Sequence, residues 1–370
     1  MSLTRLDISG LRNLHDTSLR QLGQVNVFFG ENGSGKTSLL EAIHLLGMAR
    51  SFRTASIKPV ITHGHEALTV FGELQCQPNA VKTTLGVRRN RAGELDARVA
   101  GQPISGRAAL AEALPLQVIH ADSFAVLTGA PAVRRQFIDW GVFHVEPRFF
   151  ETWQRFQRAI KQRNNLLRRG KISPAELAPW DTELVVSGEA IDAARERYVD
   201  ALQPVFNALA RRLSIALPAL ELRYRRGWQQ DLTLAEALVQ GRPADMQQGF
   251  THSGPQRADL RVLADDRPAA ETLSRGQLKL LICALKLAQG HLLMRSSKRC
   301  VYLVDDLTAE FDQGHAAAVA RVLNELQAQV FVTCIAEGDA TAIWPDPDGR
   351  TAEKAGLAMF HVEHGAIRGE

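Results

Sequence analysis

The chain has 370 residues, a formal net charge of +4, 23% charged residues and 45% hydrophobic ones; that balance fits a folded globular protein and excludes a disordered or collagen-like one. Its length exceeds one average core, which predicts a main domain with a second lobe. No apolar run reaches membrane-spanning length and the amino terminus opens straight into a strand-like alternation, so a cytoplasmic protein with no membrane partner is expected.

In chain order, residues 3–8, 25–29, 68–74, 81–87 and 116–119 are rich in strand formers and are separated by Gly, Asn and Pro turns, which predicts a mixed sheet. The second of these strands runs into Gly30-Glu31-Asn32-Gly33-Ser34-Gly35-Lys36-Thr37, the spacing of a phosphate-binding P-loop. Glycines let the backbone turn tightly, so that successive N–H groups face phosphate oxygens. Lys36 then reaches the outer phosphates, and Thr37 offers its hydroxyl to Mg2+. From Ser38 the apolar residues fall at helical spacing. A nucleoside triphosphate is the expected ligand.

From about Pro131 the texture changes to long helical periodicity over 134–143, 147–169, 175–214 and 232–239, a second lobe inserted into the first. The expected boundaries are 1–128 and 249–370 for the two parts of the nucleotide-binding lobe and 129–248 for the helical lobe. Between positions 148 and 171 there are eight basic residues against Glu151 alone, a net +7 in a chain of +4. On a helix Trp153, Phe156, Ile160 and Leu167 share one face, and Arg155, Arg158 and Arg169 lie opposite. Such a face can follow DNA phosphates without reading bases; a merely solvated face is the alternative. Arg211, Arg212, Arg223, Arg225 and Arg226 form a second basic cluster with the same two readings. Arg88, Arg89 and Arg91 can simply decorate a hairpin. Trp140, Trp153, Trp180 and Trp228 fit a core or lobe interface better than stacking platforms for bases.

Beyond residue 250 the alternation of strand and helix returns, with strands at 259–263, 300–304 and 330–333 and helices at 276–294 and 315–328. A sheet begun before the helical lobe is thus completed after it. Val301-Tyr302-Leu303-Val304-Asp305-Asp306 is an apolar strand ending in two carboxylates. Asp305 is placed to hold a metal ion and Asp306 to orient an attacking water; alternatively the pair only ends a strand. Ser274 and Gly276 precede a long helix and make either an anion-binding helix start or an ordinary cap. Cys76, Cys283, Cys300 and Cys334 lack the paired spacing of metal or redox motifs and read as reduced core thiols.

Leu273-Ser274-Arg275-Gly276-Gln277, followed by the acidic strand end and by Thr308-Ala309-Glu310-Phe311-Asp312, resembles the signature and D-loop of the ABC-type ATPases. The resemblance implies an α/β ABC-type ATPase head, a mixed or parallel sheet with a P-loop, plus an inserted, mainly helical second lobe. It also implies ATP held by Gly30 to Ser38 of one molecule and covered by Ser274, Arg275, Gly276 and Gln277 of another, with Asp312 at the seam. Asp306 stands where that superfamily usually has Glu; its shorter reach implies slow, switch-like hydrolysis. Thr333 stands where a switch histidine is common.

Further segments extend the resemblance from end to end: Leu11-Arg12-Asn13-Leu14, Arg50-Ser51-Phe52-Arg53, Arg134-Arg135-Gln136-Phe137-Ile138-Asp139, Lys161-Gln162-Arg163-Asn164 and Ser253-Gly254-Pro255-Gln256-Arg257-Ala258-Asp259-Leu260. With these the chain resembles the RecF family of bacterial DNA replication and recombinational repair proteins. Gln256 departs from the pattern, which generally has His. The resemblance implies a cytoplasmic protein that binds duplex and single-stranded DNA near gaps, dimerises on ATP and hydrolyses it weakly when DNA is present. It further implies work with RecO and RecR to load RecA, and links to replication and the SOS response. A transporter subunit fits the long basic insertion poorly, and a chromosome-organising ATPase would need hundreds of heptad residues between its halves. A DNA-binding module that uses ATP only to dimerise stays open, because Asp306 weakens the catalytic reading.

Overall fold

The computed structural model describes residues 2–75, 81–170, 173–213, 217–344 and 357–369. Cys76, Lys171, Ser214 and residues 345–349 lie outside them. The chain divides into two compact units, Met1–Ser123 with Leu293–Glu370, and Phe124–Leu292. The second unit holds 249–292 together with the helices, whereas the sequence pattern had grouped those residues with the nucleotide-binding lobe.

Two six-stranded sheets build the first unit. One runs, from edge to edge, Ala366–Gly369, Leu357–Glu363, Val25–Phe29, Gln329–Cys334, Val301–Val304 and Leu116–Ile119, parallel except for the hairpin made by its first two members. Every residue of the four strands from Val25 to Ile119 in that order is buried. Their near-continuous apolar sequences follow, because a parallel sheet is covered on both faces. The polar exceptions are paired: the Gln329 amide accepts from Leu3 N–H at 2.7 Å and donates to Leu3 O at 2.8 Å, which ties the two sheets together.

The other sheet is antiparallel, ordered Thr17–Arg20, Ser2–Ser9, Ala67–Gln75, Thr83–Asn90, Leu95–Val99 and Gln102–Pro103. Alternate residues of Ala67–Gln75 are buried, the period-two signature of a sheet with one wet face. Helix Lys36–Met48 packs against this sheet. Leu46 lies so close to Gly72 that a Cβ there would come within 2.5 Å of Leu46 Cδ2. The strands expected between residues 1 and 120 therefore belong to two sheets, not one.

The second unit is mainly helical, with Pro131–Val145, Phe149–Leu167, Pro174–Leu213, Leu234–Gln248 and Arg275–Arg295. A three-stranded antiparallel sheet of Leu220–Arg225, Asp259–Ala264 and Arg267–Pro268 accompanies them. Leu234–Gln248 begins at a reciprocal capping box between Thr233 and Glu236 and ends at left-handed Gly249, two local signals that fix its ends. Cys283, Cys300 and Cys334 are buried thiols outside any disulfide. Among the described residues no helix is long and apolar enough to cross a membrane.

Candidate nucleotide-binding site

The P-loop sits at the carboxyl edge of the parallel sheet, where open α/β folds place their ligands. Gly30, Gly33 and Gly35 have φ of 147°, 82° and 122°, the left-handed region that side chains avoid. Gly30 is further required because a Cβ would lie 2.2 Å from Val362 O. Lys36 is 5% exposed, and its ammonium donates to Gly30 O at 2.6 Å and Glu31 O at 2.9 Å. Ser34 Oγ is buried without a hydrogen-bond partner. Such an orphan hydroxyl suits an oxyanion.

Thr37, at the start of the P-loop helix, and Asp305, at the end of Val301–Val304, meet across the sheet edge. Thr37 Oγ1 lies 2.9 and 3.1 Å from the two carboxylate oxygens. Thr333, on the strand between them, donates to Asp305 Oδ1 at 2.8 Å and accepts the Asp306 N–H at 2.8 Å. Burial raises the Asp305 pKa, against the hydrogen bonds from Thr333 and Thr37; the Asp306 charge adds to the rise and Arg53 opposes it. Asp306 takes a left-handed conformation at φ 52°, uncommon for a residue with a side chain, and faces the cavity above the loop.

That cavity measures about 730 Å³, and its walls include Asn13, Arg53, Lys58, Arg91 and Asp306 besides the P-loop. Asn13 braces the loop by donating to Gly33 O at 3.1 Å while its Oδ1 accepts from Ser38 Oγ at 3.1 Å. Arg12 grips Glu41 through Nε and Nη2 at 2.8 and 2.9 Å. Glu41 is fully buried, also takes the Ser51 hydroxyl, and lies 3.9 Å from Arg53. Roles for Arg12, Asn13 and Glu41 were not read from the sequence. A signal existed, since Glu41 is the one carboxylate in an apolar helix.

The carboxyl-terminal hairpin is a second brace the sequence reading missed. Its two-residue turn, His364-Gly365, has positive φ at both positions, the geometry that matches strand twist. Gly365 N–H donates to Ser34 O at 2.8 Å and Gly365 O accepts from His15 N–H at 2.9 Å. Phe29 stacks on His361 with centroids 5.2 Å apart.

In the second unit, Ser274 and Gln277 cap Arg275–Arg295 reciprocally: Ser274 N–H donates to Gln277 Oε1 at 2.9 Å, and Gln277 N–H to Ser274 Oγ at 3.3 Å. Ser274, Arg275 and Gly276 are exposed, and a Cβ on Gly276 would meet nothing within 4 Å. In the first unit, Asp312 is the exposed N-cap of Gln313–Glu325, accepting from His315 N–H at 2.9 Å; this cap starts the helix two residues earlier than its apolar pattern indicated.

Along Phe149–Leu167 the apolar face is as expected, with Phe156 and Leu167 at 2% exposure. Arg155, Arg158 and Arg169 are exposed, but Arg155 is held by Glu183 at 2.7 and 3.0 Å. Arg163 leaves the basic face altogether: it is fully buried and bonded to Asp181, Asp245 and Thr251 at 2.6, 2.6 and 2.8 Å. In the second cluster Arg223 pairs with Glu221 and Arg226 with Asp192. Gln256 turns inward, donating to Ser253 O at 3.1 Å, with its Oε1 unpaired.

Comparison with known proteins places this architecture. The family model described as RecF/RecN/SMC N terminal domain matches residues 2–343. The DNA replication and repair protein RecF of Pseudomonas aeruginosa (strain LESB58) is 50% identical over 372 residues, covering 99% of this chain and 97% of the relative. That of Azotobacter vinelandii (strain DJ / ATCC BAA-1303) is 50% identical over 367 residues, covering 99% and 98%. Among solved structures, the recombination mediator protein RecF with ATP, of the RecFOR pathway, superposes with a TM-score of 0.85 at 21% identity, covering 100% of this chain and 97% of that one. An SMC head bound to the C-winged helix domain of ScpA superposes at 0.58 with 14% identity, which shows the shared ABC-type head fold. With half its residues identical to curated RecF proteins over essentially its whole length, the chain belongs to the RecF family.

Proposed function

We propose that this protein is a cytoplasmic ATP-gated DNA clamp of recombinational repair, whose working nucleotide pocket is completed by a second copy. The observation that carries the nucleotide part is the meeting of Thr37 and Asp305 at 2.9 and 3.1 Å. One carboxylate and one hydroxyl, both hard oxygen donors, suit Mg2+, which prefers few protein ligands and completes its shell with phosphate and water. The ion would neutralise charge on the triphosphate. Lys36 would exchange its two loop carbonyls for the stronger acceptors of a phosphate, and Ser34 Oγ would gain its missing partner. The solved RecF structure with ATP supports ATP as the nucleotide.

Gly276 supports the dimer. Glycine inside a helix costs about 1 kcal/mol relative to alanine, yet nothing among the described residues crowds this position and its φ is not positive. A close approach from outside the chain accounts for it, and the exposed Ser274 N-terminus of a 21-residue helix suits an anion brought by a second molecule. Asp306 would hold the attacking water at short reach, giving weak, DNA-stimulated hydrolysis of a switch-like kind.

Arg158 and Arg169 are exposed and would follow phosphates of duplex or single-stranded DNA at gaps, and Arg155 would have to leave Glu183 to join them. By family, RecO and RecR are the expected partners in loading RecA, with links to replication and the SOS response. Sedimentation velocity on wild type, Lys36→Met and Asp305→Asn with ATP and magnesium tests the reading. Wild type should dimerise, Lys36→Met should stay monomeric, and Asp305→Asn should dimerise without turnover. Equal behaviour of all three, with or without ATP, would remove it.

A further inference from the structure

Three arginines gather at the carboxyl-terminal end of helix Lys36–Met48, a rise of about 18 Å along the helix from the P-loop. Arg50 follows the left-handed cap residue Ala49. Arg89, from Thr83–Asn90, donates Nη1 to Ala49 O at 2.7 Å and Nη2 to Gly93 O at 3.2 Å. Arg107 is the N-cap residue of Ala108–Ala113, a helix packed on the P-loop helix. Burial first, and the Arg107 charge second, lower the pKa of both Arg50 and Arg89; no carboxylate among the described residues contributes to either. The acid on the Arg107 helix, Glu112, faces Lys298 Nζ at 3.9 Å instead. Arg89 is 9% exposed, and its Nε meets no hydrogen-bond partner.

Like charges held together without a counter-charge destabilise a fold, so a cluster of this kind points to an external anion. We propose that Arg50 and Arg107, which both reach solvent, grasp a backbone phosphate of DNA over the buried Arg89. Arg89 has both outer nitrogens committed to carbonyls and supplies fixed positive charge; the other two supply the donors. Guanidinium forks match phosphate oxygens in pairs. An acidic protein partner fits less well, because protein interfaces need apolar anchors. The exposed large apolar side chains among the described residues are Val81, Val186, Val239, Met246 and Ile335, none of them on the helix or strand carrying these arginines.

The site rests on the DNA-binding reading above, and the test separates the two. Binding of a fluorescent duplex is measured across salt for wild type, for Arg50→Ala with Arg107→Ala, and for the corresponding double Lys variant. Melting temperature and ATP affinity are measured in parallel, with poly-L-glutamate as a second ligand. The expected result is a double Ala variant whose plot of log affinity against log salt is shallower by about one unit. Its ATP binding should stay unchanged and its melting temperature should hold or rise, since like-charge repulsion is removed; the Lys variant should regain most of the slope. An unchanged slope in the double Ala variant would overturn the site while leaving the DNA reading intact, as would loss confined to poly-L-glutamate. A wild-type protein with no salt-dependent DNA binding would overturn both.

Discussion

The Thr333 hydroxyl lies 2.8 Å from Asp305 Oδ1 and takes the backbone N–H of Asp306 at the same distance. One side chain thereby sets both the carboxylate expected to hold magnesium and the backbone of the carboxylate expected to hold water. Replacing Thr333 with Val keeps the volume and removes the hydroxyl. The Asp306 N–H is then left without its partner, at a cost of about 1–3 kcal/mol. Thermal melting should fall accordingly, and single-turnover hydrolysis should slow far more than ATP affinity weakens. Equal losses in both would place Thr333 in binding alone.

Asp305 gives a pH dependence whose sign is fixed. A carboxyl with a raised folded pKa holds its proton more tightly in the folded chain than in the unfolded one. Its contribution is fully present below the ordinary carboxylate pKa and is lost as pH rises through the raised value. Asp305→Asn, uncharged throughout, should therefore be more stable than nucleotide-free wild type at about pH 7 and lose that advantage toward about pH 4. Melting temperatures of both proteins across this range check it. A wild type more stable than the variant at neutral pH would contradict the burial-driven rise.

Arg163 and Arg158 lie five positions apart on one helix and should behave oppositely. Arg163→Met takes the buried guanidinium from Asp245 and Asp181, leaving them with His252 and Arg242, and should cost about 3–5 kcal/mol, read by denaturant unfolding. Arg158→Glu should leave unfolding within about 0.5 kcal/mol while weakening DNA binding at low salt. Full DNA affinity in Arg158→Glu would return that helix face to simple solvation.

Gly365 tests the hairpin brace. It has φ 82°, and a Cβ would lie 1.9 Å from Asn13 O, so Gly365→Ala must move the turn off the P-loop. A loss of about 1–2 kcal/mol in loop preorganisation corresponds to roughly 5–30-fold weaker nucleotide binding. Titration with a fluorescent ATP analogue reads it, and far-UV circular dichroism should be unchanged. Wild-type affinity in the variant would show that the loop holds its shape alone.

Much of this site could be read along the chain because its chemistry is local. Gly30 to Thr37 and Val301 to Asp306 each carry their signal within eight residues, and their strand settings made the pairing of Thr37 with Asp305 foreseeable. What could not be read depends on distant contacts. Asn13 matters because of where Gly33 and Ser38 arrive, and Gly365 because Ser34 lies opposite it, 331 positions away. Arg163 looked like surface charge since a run of cations hides which member turns inward; Asp245, 82 residues later, decides it. The separation into two sheets was equally invisible, because strand patterns report burial and not partners.

The central claim is that a second copy supplies Ser274 and Gly276 to each nucleotide. Sedimentation velocity of Ser274→Arg with saturating ATP and magnesium tests it most directly, because Ser274 is exposed and the substitution leaves the chain's own P-loop intact. The account predicts a protein that binds ATP as wild type does yet sediments as a monomer. A Ser274→Arg protein that dimerises on ATP like wild type would contradict it.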